Sequence, residues 1–77
     1  MVHVITFIVE DSRGYTLAIR ANSNDLIARI SAAFFMKFCD GRIPIGWFAS
    51  VDGKRVKGSS TLEEVGIRNQ STLLLTF

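Results

Sequence analysis

The residues able to do chemistry are few. The 77-residue chain holds one cysteine, Cys39, and one histidine, His3, so it lacks the four nitrogen and sulfur ligands of a structural zinc site. Cys39 follows an apolar helical segment and so lacks the electropositive helix N-terminus that lowers a thiol pKa; buried and inert is the expected state. Glu10 and Asp11 fall in a polar loop and Glu63 and Glu64 in a short capped turn, which makes no catalytic carboxylate pair. No nucleophile elbow and no phosphate-cradling glycine motif occurs. The expected inventory is therefore no catalytic residue, no metal ligand and no cofactor. Arg42, Lys54, Arg55, Lys57 and Arg68 crowd the second half, but without a basic run or an RNA-binding motif they read as a solvated rim.

A chain of this length has room for one core, so residues 1–77 are expected to form a single domain, on its own or as part of a longer protein. With no disulfide available, stability has to come from apolar packing, which a hydrophobic fraction of 48% supports. The net charge of +2 is too small to argue for nucleic acid or membrane as a partner. The apolar run Val2–Val9 has no basic flank and ends in Glu10-Asp11, which excludes a signal peptide or a spanning helix. An unpaired cysteine fits a reducing compartment, cytoplasm or nucleus.

Residues Val2 to Val9 are β-branched and aromatic, and Glu10-Asp11-Ser12-Arg13-Gly14 supplies a hairpin loop before Tyr15 to Ile19. In that hairpin Tyr15, Leu17 and Ile19 are expected to face the core beside Ile5 and Phe7, with Thr6 and Ile8 outward. Ile27, Ile30, Phe34 and Phe38 recur at helical spacing, predicting a helix that starts near Asp25 and ends before Asp40-Gly41, with Ala28, Arg29, Ser31 and Ala32 outward. Phe35, Met36 and Phe38 exceed one apolar stripe and are expected to cover the helix end against Ile43 and Ile45, or else to form a second sticky surface. Trp47 to Val51 reads as a strand with Trp47 inward, Asp52-Gly53 as a primed turn, and Lys54-Arg55-Val56 as a return strand. Thr61 and Glu64 are spaced as a capping box ended by Gly66, and Ser71 to Phe77 forms a last strand.

The whole chain resembles a ubiquitin-like domain. The resemblance is carried by Val51-Asp52-Gly53-Lys54-Arg55-Val56, Thr61-Leu62-Glu63-Glu64-Val65-Gly66-Ile67 and Ser71-Thr72-Leu73-Leu74-Leu75, with Ile43-Pro44 after the helix and Ser23-Asn24-Asp25 as its cap. It implies an α+β β-grasp fold, a mixed sheet of four to five strands with one long helix packed across one face. Members that are conjugated or carry sulfur need a flexible tail ending in Gly-Gly, and this sequence ends at Phe77, so a non-conjugated module is expected. Lys54 matches a lysine that the family uses for chain linkage, which implies no linkage in a chain read without that tail.

The family's apolar receptor patch corresponds to Glu10, Ser50, Leu74 and Thr76, which are mostly polar here; Phe48, Leu74, Ile8 and Val4 offer a shifted apolar patch. The expectation is a non-enzymatic, monomeric interaction module. It binds a partner protein through Phe48, Ser50, Leu74, Thr76 and Ile8, ringed by Lys54, Arg55, Arg68 and Thr72. The alternatives are a nucleic-acid-binding ubiquitin-like domain, or a modifier or sulfur carrier cut before its Gly-Gly tail.

Overall fold

Alternation decides the first strand. Ile5, Phe7 and Val9 are buried while Val4 and Thr6 face water, which is the burial pattern of an extended segment covered on one side. A computed structural model describes residues 1–77. Its elements are β1 (Val4–Asp11), β2 (Thr16–Asn22), α1 (Ile27–Phe38), β3 (Phe48–Val51), β4 (Lys54–Val56) and β5 (Thr72–Thr76). The sheet order is β2-β1-β5-β3-β4, with β1 and β5 parallel and every other pair antiparallel. First and last strands thus lie side by side at the centre, and α1 packs on one face.

Thirteen residues form one core, drawn from β1, α1, β3, β5 and the Leu62–Ile67 turn. Asp52 and Gly53 both adopt positive φ (53° and 78°), the type I′ geometry that matches the twist of a two-residue hairpin. The Thr61 N–H donates to Glu64 Oε1 at 2.9 Å, and the Glu64 N–H donates back to Thr61 Oγ1 at 3.1 Å, which closes the capping box.

Several expectations need correction. Tyr15 does not face the core; it precedes β2, is half exposed, and stacks its ring on Phe38 at 5.4 Å. Asp25 does not cap the helix, because its carboxylate accepts the Asn22 N–H and so closes the turn before it. The helix begins at Ile27 with Leu26 as its uncapped N-cap residue. Its first donors are met from a distant loop: the Ile27 N–H donates to the Ser60 carbonyl and the Ala28 N–H to the Gly58 carbonyl, each at 2.9 Å. Ser31 is buried, with Oγ donating to the Ile27 carbonyl at 2.8 Å. Phe35 belongs to the core, edge-on to Trp47 and Phe77, whereas Met36, Ile43 and Ile45 are exposed and do not cover the helix end. Cys39 is half-buried and free.

Candidate functional site

Strand register assembles the outer sheet face. Phe48 lies opposite Thr76 and Ser50 opposite Leu74, while on the other side of β5 Leu74 meets Glu10 and Thr72 meets Ile8. All five outer-face candidates, Ile8, Phe48, Ser50, Leu74 and Thr76, are half-buried, and they share one face because each is an even number of residues from its strand's other outward positions. Arg55, opposite Ser50, holds its guanidinium carbon 4.4 Å above the Phe48 ring. The apolar centre is therefore partly roofed by a cation. Thr72 is on the same face, and Val4 is exposed at the far end of β1.

Lys54 and Arg68 do not ring this face. The two-residue turn places Lys54 opposite Val51, an inward position, so its side chain leaves the sheet on the helix side. Arg68 sits in the loop before β5. Both line a groove of about 890 Å³ on the flank of β4, together with Arg55, Lys57, Val56 and Val65. Four of the five basic residues read as a solvated rim thus line one groove. A neighbouring cleft of about 640 Å³, lined by Trp47, Phe48 and Val56, shares Arg55 and Lys57 with the groove. The convergence depends on the chain from Lys57 to Gly66 folding back along β4, and no local spacing announces that.

Asp11, Asp25 and Glu64 are committed to structural hydrogen bonds. Asp11 is buried at the end of β1, its Oδ1 accepting the N–H groups of Arg13 and Tyr15 at 2.9 and 3.0 Å. Its Oδ2 accepts Arg13 Nε and Nη2 at 2.9 and 2.7 Å, the one ion pair in the molecule. Burial alone would push this carboxyl up; the Arg13 side-chain bond and the two backbone donors outweigh it and leave the group below its ordinary 3.8. Arg13 is held above its ordinary value by the same bond to Asp11, and it lies 4.7 Å from the Tyr15 ring and 5.1 Å from that of Phe77. This knot was missed as a loop carboxylate, although aspartate two and four residues before turn N–H groups is an Asx-turn signal. Glu64 is drawn below its ordinary 4.5 by the Thr61 backbone N–H, then by the Thr61 side chain.

No protein-family model matches the sequence, and no curated protein is found to be similar to it. Among solved structures, a de novo design based on ubiquitin superposes with a TM-score of 0.78 at 21% identity, over 94% of this chain and 85% of that one. The fold is the ubiquitin-like β-grasp. On the outer face of this β-grasp sheet Phe48 lies under Arg55, and Glu10, Ser50 and Thr76 surround Leu74.

Proposed function

We propose that this ubiquitin-like domain is a non-enzymatic protein-interaction module that binds a partner protein through the outer sheet face. The observation that carries this is the register: Ile8, Leu74 and Phe48 share one face on a diagonal across β1, β5 and β3, with Thr72 opposite Ile8, Glu10 and Ser50 opposite Leu74, and Thr76 opposite Phe48. Half-buried side chains on a sheet face are already ordered, so binding costs little further entropy, while a centre of only three apolar residues, Ile8, Phe48 and Leu74, restricts affinity to the moderate range. Binding without catalysis is supported by the two perturbed carboxylates, Asp11 and Glu64, both held in structural hydrogen bonds. A reducing compartment, cytoplasm or nucleus, suits a chain whose single thiol is unpaired.

Backbone chemical-shift mapping against a panel of ubiquitin-receptor domains tests the reading. Perturbations centred on Ile8, Phe48, Ser50 and Leu74 are expected, and Leu74→Asp should weaken binding at least about tenfold with the fold intact. A response that avoids Phe48 and Leu74, or that centres on Met36 and Ile43, refutes the site.

A further inference from the structure

We infer that the flank of β4 is a second docking site, for an acidic peptide in extended conformation. It differs from the outer-face reading in resting on Lys54, Lys57, Val65 and Arg68, and shares with it Arg55, whose guanidinium lies over Phe48.

Charge makes the first part of the case. Lys54, Arg55, Lys57 and Arg68 converge on the groove, and none of them forms an ion pair. The groove's own carboxylates are Asp52 and Glu64, and Glu64 is already taken up by Thr61. Four cations against two carboxylates leave a positive field, and acidic groups brought to it meet no competing internal partner.

The backbone supplies the second part. β4 ends the sheet order, so one side of it has no neighbouring strand. In a two-residue hairpin the residues flanking the turn, Val51 and Lys54, form the hydrogen-bonded pair, and the next pair, Ser50 and Arg55, does not. The Arg55 N–H and C=O therefore point away from β3, toward the open edge. No loop or turn bond involves the backbone of residues 54–56. An extended peptide laid along β4 gains these two main-chain bonds, the mode by which exposed sheet edges take up strands.

The lining indicates what the peptide carries. Val56 and Val65 form apolar wall between the cations of the groove, and the adjoining cleft at Trp47 accepts an apolar side chain. A single-stranded nucleic acid would satisfy the charge but needs open aromatic faces for its bases. Here the Phe48 ring lies under Arg55, and the Trp47 ring is engaged by the edge-to-face contact with Phe35. Acidic peptide with an apolar anchor fits both halves of the surface.

The experiment is a fluorescence-anisotropy and chemical-shift titration of the full chain with a short labelled peptide carrying glutamates around one leucine. A glutamine-for-glutamate peptide and a single-stranded RNA oligonucleotide are run in parallel. Expected are shifts at Lys54–Gly58 and Glu64–Arg68, slowed exchange of the Arg55 amide, and affinity falling as salt rises from about 50 to about 300 mM. The double substitution Lys54→Glu, Arg68→Glu should weaken binding at least about tenfold, with far-ultraviolet dichroism unchanged, whereas Leu74→Ser should leave it unaltered. Equal binding of the glutamine peptide, tighter binding of the RNA, shifts confined to the outer face, or no binding at low salt would each overturn the inference. Loss of peptide binding only with Leu74→Ser would move the peptide to the outer face and overturn it too.

Discussion

The tip of the first hairpin and the flank of β4 treat charge in opposite ways. At the hairpin, Asp11 is buried and four donors from Arg13 and Tyr15 converge on its two oxygens. Tyr15 stacks on Phe38, Phe77 packs on Phe35, and the Ser12 N–H donates to the Leu75 carbonyl, so hairpin, helix end and last strand form one closed pole. Along β4 the cations are exposed and none forms an ion pair, Arg55 alone resting over an aromatic ring, that of Phe48. A charge that the fold satisfies internally contributes to stability; a set of charges that the fold gathers and leaves unsatisfied is available to something else.

The largest effect lies at the closed pole. Phe35 is 1% exposed while Met36, the next residue, is 68% exposed. Phe35→Ala should cost about 3–5 kcal/mol in a denaturant titration followed by Trp47 fluorescence, since it empties a site between Phe34, Trp47 and Phe77. Met36→Ala should change stability by no more than about 0.5 kcal/mol. Comparable losses for both would mean that the exposed helix end is covered in solution, and the contrast between the two regions would have to be redrawn.

Next comes Asp11. Asp11→Ala orphans the Arg13 and Tyr15 N–H groups and is expected to cost about 2 kcal/mol. The pH dependence follows from a carboxyl whose folded value lies below its unfolded one. Its contribution is full above the unfolded value near 3.8 and disappears as pH falls through the lower folded value. Thermal melts from about pH 6 to about pH 2 should therefore show a loss of stability below pH 4 that Asp11→Asn reduces. Lys54→Gln should leave the profile unchanged, because that cation pairs with no carboxylate.

Much of the architecture is legible in local pattern. The strand alternation, the Asp52-Gly53 turn and the Thr61–Glu64 box need only neighbours, and the outer-face set follows once alternation is known. The displacement of Lys54 to the other flank was readable too, since a two-residue turn puts it opposite inward-facing Val51. What escaped depends on distant chain. Asp25 looks like a helix cap, but the helix donors are met by carbonyls of Gly58 and Ser60, about thirty residues on, where Gly58 lies so close that a Cβ would come within 3.1 Å of that of Ala28. The same loop brings Lys57 beside Lys54 and Arg68, so one tertiary event fixes both the helix start and the basic groove.

The smallest expected effect separates the regions most sharply, because its sign differs. Removing a paired charge costs stability, but Lys57 stands among Lys54, Arg55 and Arg68 with no ion-pair partner. Lys57→Gln keeps the length and polarity of the side chain and removes one member of a mutually repelling set. It should leave stability unchanged or raise it by about 0.3 kcal/mol at low ionic strength. The gain should vanish in high salt, since exposed charges are screened there. Differential scanning calorimetry at two salt concentrations reads both parts. A loss of stability at low salt would show that Lys57 holds a favourable contact and that the flank of β4 is as internally satisfied as the hairpin pole; a gain that salt abolishes identifies repulsion retained within the fold.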